Sequence, residues 1–411
     1  MTRRSYFAAV RRFATLLGAS AALASCDAGE RLRELGDQPR TAHERYMRAL
    51  ADAGLEETVL GRDWIEASDS VLRAPHDVSL PFRETGVFLR AEVRAVAYRL
   101  SLSAGQRLTF AVRVDGLPLR LFVDLFEQTG DSARPLVLRA SADGGVPEDS
   151  TAPPTSAGTM TFSLEHEARR AATYVVRVQP ELLRDGRFEV LAAVAPILAF
   201  PVEGRGNGAV QSFFGADRDA GRRVHHGIDI FAPRGTPVLA ATDGVVRSVR
   251  PNNLGGNVVW LSDPERGQSL YYAHLDTQVV TAGQRVRLGD TLGFVGNTGN
   301  ARTTKPHLHF GIYRRGEGPV DPFPWVRRVI ATPPPLVADT KRLGGEGRTT
   351  RSTTVVLNAP SARGDTLRTV PRDTPVQIVG AAGTWYRVEL EDGVAGYVPA
   401  RFTAPLRNSS Q

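Results

Sequence analysis

Over most of its length the chain alternates apolar and polar residues with a period of two. Val96, Tyr98, Leu100 and Leu102 form one run; Leu108, Phe110, Val112 and Val114 follow the turn at Ala104-Gly105, and Leu119, Leu121, Val123 and Leu125 continue the period. Successive side chains of a strand point to opposite faces, so each run predicts a strand with one buried face. With Tyr174–Val178 and Phe188–Leu191 they predict a β-sandwich over residues 76–195, interrupted by a Pro/Ser/Thr-rich loop at Gly144–Gly158. Between 196 and 330 shorter runs lie between glycine turns: Val238–Ala241, Val245–Val249, Val258–Leu261, Leu270–Tyr272, Arg285–Leu288 and His307–Ile312. They predict an antiparallel sheet. Thr332-Pro333-Pro334-Pro335 and the glycines at 344, 345 and 347 predict a linker over 331–347, stiff and then flexible. Residues 348–405 then carry about five more short strands. The helical exception lies upstream, in a polar spacer over 26–75. There Thr41 and Glu44 have capping-box spacing, Tyr46, Ala49, Leu50 and Ala53 follow at helical intervals, and Gly54 is a stop. The fold class is mainly β with a short helical N-terminal segment.

A chain of 411 residues is too long for one core, and its 42% hydrophobic and 23% charged residues are ordinary for globular protein. The net charge is +7, and near +3 without the four arginines of the first 25 residues, which is too mild to call for a nucleic-acid partner. Arg3, Arg4, Arg11 and Arg12 fall in the first 25 residues, which hold no acid. That basic start and the apolar run Phe13–Ser25, too short to span a bilayer comfortably, read as an export signal. Leu23-Ala24-Ser25-Cys26 resembles the bacterial lipobox, in which the cysteine is lipidated and becomes the mature N-terminus. Thr2-Arg3-Arg4-Ser5-Tyr6-Phe7 loosely resembles a twin-arginine motif, and an ordinary basic leader reads equally well. As the only cysteine, Cys26 also leaves no internal disulfide. The expectation is an exported, periplasmic protein held at a membrane, inner or outer, by a lipid on Cys26.

Five of the eight histidines fall between 225 and 309, in VHHGID (224–229), YYAHL (271–275) and KPHLHF (305–310). Strand alternation lets His225 and Asp229 face one way, with His226 opposite, and lets His307 and His309 share a face. Imidazole and carboxylate are good zinc donors, and a hydrolytic site needs three protein ligands and an open position for water. His225, Asp229 and one of His307 and His309 meet that count. The remaining histidine of the pair and His274 would then lie beside the reacting water. His43, His76 and His166 have no ligand-like spacing and are expected to be satisfied, the last two at the surface.

At these residues HHGIDIFAPRGTPVLAATDGVV, SLYYAHLD, GQRVRLGDTLGFVGNTGN and KPHLHFGIY resemble the lysostaphin-type (LytM-like) zinc metallopeptidases that cut bacterial cell-wall peptides. The resemblance runs over about 205–326 and implies that His225, Asp229 and His309 bind one zinc ion. It places His274 and His307 beside the catalytic water, one as general base and the other on the developing oxyanion, without deciding which does which. Downstream, LNAPS followed by TPVQIVGAAGTWYRVELEDGVAGYVPA resembles bacterial SH3-like domains, which often accompany wall hydrolases and are thought to hold wall peptides. That family usually has an arginine after the asparagine; here Ala359-Pro360 stands instead, and Trp385 is expected in the core.

The domain plan is a signal peptide at 1–25, the spacer at 26–75, the sandwich at 76–195, a zinc peptidase at 196–330, the linker at 331–347 and an SH3-like barrel at 348–405. The expected function is hydrolysis of peptide cross-links in peptidoglycan. The alternative is a non-catalytic LytM-like scaffold that activates another wall hydrolase, and the full ligand set counts against it. Domain order alone also raises the idea that the sandwich blocks the peptidase groove until an unknown partner displaces it. Cys26→Ala is expected to move the protein from the membrane fraction to the soluble fraction, as read by fractionation and immunoblotting.

Overall fold

The computed structural model describes residues 41–89, 94–116, 120–131, 135–144, 158–218, 221–329 and 332–406. The expected signal peptide, Cys26 and the interior of the 144–158 loop lie outside the described residues. The chain divides into two compact units, 1–65 and 66–411. In the first, Thr41 caps the helix Ala42–Asp52 with the reciprocal bonds expected: Glu44 N donates to Thr41 Oγ1 and Thr41 N to Glu44 Oε2, each at 3.1 Å. His43 is buried and stacks on Trp64 at 4.7 Å. Trp64 belongs to a second helix, Val59–Arg73, which the periodicity around Thr41 does not reveal.

The second unit is built on sheets that are antiparallel except where His76–Asp77 pairs parallel to Val96–Leu102. The sandwich's first sheet runs in the order His76–Asp77, Val96–Leu102, Ala172–Pro180, Leu121–Gln128, Leu136–Gly144. Its second sheet runs Phe82–Phe88, Gly186–Pro196, Gln106–Gly116, Gly158–Ala168. The alternating residues Tyr98, Leu100, Leu108, Phe110, Val112, Val123 and Leu125 fill the space between, all at most 2% exposed.

The second sheet does not end at Phe82–Phe88. That strand pairs on its far side with Pro375–Ala382, Thr85 opposite Ala381 and Gly86 opposite Gly380, so the sandwich and the C-terminal barrel share one sheet. Glu84, fully buried, accepts from Tyr98 Oη at 2.8 Å, from Arg387 Nε at 2.9 Å and from Tyr397 Oη. Ala382 and Tyr397 sit in the sandwich's core, and Trp385 packs against it half-buried instead of filling the barrel. His76 is also buried, not superficial as expected. Its ring meets Tyr397 edge-on at 5.2 Å. Burial, and then the charge of Arg387, push its imidazole down to about 3. Because the folded state favours neutral His76, that contribution to stability is complete above pH 6.5 and declines as the pH falls toward 3. His166 is half-buried, 3.1 Å from Tyr174 Oη.

Residues 332–347 of the expected linker are not a free tether. Leu336, Ala338 and Leu343 pack into the barrel core, Tyr386 Oη donates to Asp339 O at 2.9 Å, and Glu346–Thr349 is a strand paired with both Pro375–Ala382 and Thr403–Pro405. The glycines there serve shape rather than flexibility. Gly344 turns at φ +81°, and a Cβ on Gly347 would stand 3.0 Å from Ala404 O.

The peptidase region forms a sheet in the order Val210–Ser212, Ile228–Phe231, His307–Arg314, Gln268–Gln278, Asn257–Asp263, Gly244–Ser248, Arg285–Val286. One face, including Ile228, Ile230, Leu308, Phe310, Leu270 and Tyr272, is wholly buried. The other carries the candidate chemistry. The sandwich meets this region along the edge marked by Trp325, whose backbone a Cβ on Gly105 would approach to 2.7 Å, and by Arg266, which donates to Glu167 at 2.8 Å.

Arg387→Met is expected to destabilise the unit by about 3–5 kcal/mol, the usual cost of leaving one buried charge unpaired. Pairing it with Glu84→Gln should recover part of the loss. Urea titration of the three variants checks both.

Candidate metal centre

The register of three strands assembles the site. Asp229 stands opposite His309, His309 opposite Ala273, and Phe231 opposite His307. Cross-strand partners share a face, so Asp229, Phe231, His307 and His309 project together, with the small Ala273 leaving room beside them. His225 arrives differently. It lies between Arg223–Val224 and Ile228–Phe231, so strand alternation does not orient it. Its backbone is clasped instead by the preceding segment: Gly215 N donates to His225 O and His225 N to Ala216 O, both at 2.9 Å. His226 is exposed at the groove rim, its ring lying over Phe214, and takes no place in the cluster. The loop between strands, not parity, keeps it out.

His225 Nε2, Asp229 Oδ1 and His309 Nδ1 lie 2.9–3.0 Å from one another. They are the one group among the described residues with the donor count and spacing to hold a metal ion. Gly227 is what permits the approach. A Cβ there would stand 2.5 Å from Phe310 O and 2.7 Å from His309 Cε1.

Backbone carbonyls fix the imidazole tautomers. Nδ1 of His225 lies 2.8 Å from Phe213 O, Nδ1 of His274 2.9 Å from Thr298 O, and Nδ1 of His307 2.8 Å from Lys305 O. A carbonyl only accepts, so each Nδ1 carries the hydrogen, and in the neutral ring Nε2 keeps its lone pair for the site. His274 and His307 stand with ring centroids 5.0 Å apart, and His307 Nε2 is 4.0 Å from Asp229 Oδ1. Phe231 stacks on the His307 ring at 5.0 Å.

His274 reaches this place against its strand. By alternation it would follow Tyr272 into the core. Its backbone instead takes φ +62°, where pairing with His307–Arg314 ends at Ala273 and pairing with Thr291–Val295 begins at Leu275. A left-handed conformation at a non-glycine costs on the order of 1–3 kcal/mol and persists where surroundings enforce it. Here His274 N donates to Gly255 O at 2.7 Å.

Burial disfavours ionised Asp229, but hydrogen bonds and positive charge from His225 and His309 outweigh it and hold the carboxyl well below its usual range. Burial, then the neighbouring charges of His307 and His309, push His274 down to about 4. His309 is lowered too, chiefly by burial and partly offset by Asp229.

These residues form the floor of an open groove of about 690 Å³, lined among the described residues only by positions 211–313. No described part of the sandwich lines it. One wall is aromatic, Trp260 packing against Tyr271 at 4.5 Å and Tyr313 at 5.1 Å. Sequence reasoning missed this wall, the carbonyls of Phe213, Thr298 and Lys305, and Arg218, which donates to Asp229 Oδ2 at 2.6 Å. Alternation along Gln268–Gln278 and His307–Arg314 held a signal for the wall; nothing marked the others.

The fold and the site define a β domain that carries a histidine–aspartate–histidine cluster in an open groove. Residues 223–322 match the model of peptidase family M23 and residues 352–404 that of the bacterial SH3 domain. The chain thus carries an M23 peptidase domain and a bacterial SH3 domain, and its homologues are lysostaphin-type peptidases. It is 43% identical over 97 residues to the peptidoglycan DD-endopeptidase ShyC of Vibrio cholerae, covering 23% of this chain and 21% of that one. It is 36% identical over 140 residues to the L-Ala–D-Glu endopeptidase of Bacillus subtilis, covering 31% and 43%. Among solved structures, the catalytic domain of the antimicrobial peptidase lysostaphin from Staphylococcus simulans is 31% identical, covering 28% of this chain and 87% of that one with a TM-score of 0.25. The chain spans less than half the length of these curated relatives.

Gly227→Ala is expected to displace His309 and lower the bound metal per chain well below that of the parent. Elemental analysis after dialysis checks it.

Proposed function

We propose that the chain is a zinc-dependent endopeptidase that hydrolyses peptide cross-links of bacterial peptidoglycan. The observation that carries this reading is the cluster of His225 Nε2, Asp229 Oδ1 and His309 Nδ1 on the floor of an open groove. Two imidazole nitrogens and a carboxylate oxygen are donors zinc prefers, three in number, which leaves a position for water. The carbonyl of Phe213 presents His225 Nε2 as a neutral donor, as a ligand requires. When bound, zinc would supply an acidified water and a Lewis acid for the scissile carbonyl.

The rest falls to His274 and His307. Both hold their Nδ1 hydrogens on carbonyls, so both offer Nε2 as a proton acceptor. Neither can donate to an oxyanion through Nε2 until it has taken a proton. One therefore accepts the proton of the attacking water; as imidazolium it can donate to the developing charge and then to the leaving amine. The relatives' names, wall endopeptidases, support peptidoglycan as substrate. For the SH3 domain we propose wall retention through a surface other than the start of its motif. Asn358 is buried with its Nδ2 donating to Asp77 at 2.6 Å, and Ala359 is buried beside it. Lipidation of Cys26 would hold the protein at a periplasmic membrane surface.

His309→Ala and Asp229→Ala are expected to lose zinc and activity together, while His307→Ala and His274→Ala keep zinc and lose at least about 100-fold in turnover. The check is metal content with release of new amines from purified cross-linked peptidoglycan, and EDTA should abolish that release. Zinc retention without amine release by the parent chain would instead favour the scaffold. His274 and His309 are both shifted downward, so the neutral, active forms survive below pH 6.5. The acid limb of the rate profile should lie between 6.5 and about 4.

A further inference from the structure

We propose that Arg218 is a positioning residue for the metal centre, fixing which oxygen of Asp229 faces the ion. The inference rests on the reading of His225, Asp229 and His309 as zinc ligands. Asp229 has two oxygens with different fates. Oδ1 is the atom within 3.0 Å of both His225 Nε2 and His309 Nδ1. Oδ2 is taken by Arg218 Nη2 at 2.6 Å. With its second oxygen engaged, the carboxylate cannot rotate to present both atoms, or the other one, to the cluster without losing a charge-assisted hydrogen bond.

The same nitrogen does a second thing. Arg218 Nη2 donates to Ser212 Oγ at 2.6 Å, and that oxygen lies 3.4 Å from His225 Nδ1, beside the Phe213 carbonyl that accepts the Nδ1 hydrogen. One guanidinium nitrogen thus bridges groups that touch two of the three ligands.

The local fold delivers it there. Asp217–Arg218 pairs with Arg223–Val224, Arg218 opposite Arg223, and the second strand runs directly into His225. Residues 212–218 thus reach His225 at its ring and its backbone, and end at Asp229. The arginine is 35% exposed, whereas Asp229 is 9% exposed. A pair that open to water is held weakly by charge alone. Its two short bonds are explained better by the buried carboxylate it steadies than by stability of the hairpin.

The test uses the full chain and zinc alone. Arg218→Met is expected to weaken zinc binding 10- to 100-fold, the usual effect of removing a group that orients a ligand, measured by competition with a chromogenic chelator. Arg218→Lys should recover part of that loss, because an ammonium can still hold Oδ2. The cobalt-substituted Met variant should also show altered visible bands, since Asp229 is then free to change its contact with the ion. The metal-free unfolding midpoint should stay near the parent value. Parent-like zinc affinity and cobalt bands in Arg218→Met overturn the proposal. So does a fall in the metal-free midpoint with no recovery by Lys, which marks a salt bridge serving only the hairpin. Asp229→Ala separates the two levels of inference. If it loses zinc while Arg218→Met does not, positioning fails and the ligand assignment stands; if neither loses zinc, both fail.

Discussion

The centre depends on one constraint, the register of Ile228–Phe231, His307–Arg314 and Gln268–Gln278. Because side chains alternate, the pairing that sets Asp229 beside His309 also sends Ile228, Ile230, Leu308 and Phe310 into the core. A slip of one residue would exchange the two sets, burying the candidate metal donors and exposing the apolar face. Burial of that face therefore enforces the cross-strand placement of Asp229 beside His309. Gly227 belongs to the same constraint, since the space a side chain would fill there is the space His309 occupies.

Two residues of the site fall outside that register, and both are held by backbone. His225 is oriented by Gly215, Ala216 and the carbonyl of Phe213; His274 is turned by a left-handed kink and secured by Gly255 and Thr298. The three carbonyls on Nδ1 atoms give three histidines the same tautomer, although His225 belongs to the candidate metal cluster and His274 and His307 lie beside it. That shared choice makes His274 and His307 chemically alike in the resting site. Their difference lies in surroundings, with Phe231 stacked on His307 and His274 lying on its strained strand.

The sequence displays the five candidate residues because their types and spacings are distinctive, HxxxD and HxH above all. It displays the strands because burial on one face writes a period of two. It does not display the route by which His225 and His274 enter the site, since alternation assumes regular strands and these two depend on a loop and a positive φ. Contacts to carbonyls leave no trace in residue type, so Phe213, Thr298 and Lys305 are silent. Arg218, eleven positions before Asp229, looks like any other arginine in an Arg-rich chain. The glycines of 344–347 mislead for a related reason: composition alone does not separate a glycine that loosens a chain from one that admits a neighbouring strand.

The junction of sandwich and SH3 domain is the largest feature hidden from the pattern, and its cause is specific. Phe82–Phe88 is a central strand flanked by Gly186–Pro196 and Pro375–Ala382, and its middle is buried on consecutive residues, Glu84, Thr85 and Gly86. A carboxylate there reads as a solvent-facing position. In the fold it accepts from a guanidinium and two tyrosines drawn from both domains. Burying such a charge is favourable only when every partner is present. The network therefore forms only when the two domains are assembled, and it binds the SH3 domain to the sandwich instead of leaving it on a tether. Since the sandwich also joins the peptidase at Trp325 and Arg266, away from the groove, the SH3 domain stands at a set position relative to the site. On the proposed reading, any wall strand held by that domain would be presented to the groove in a preferred direction, so the connection would orient substrate as well as retain it.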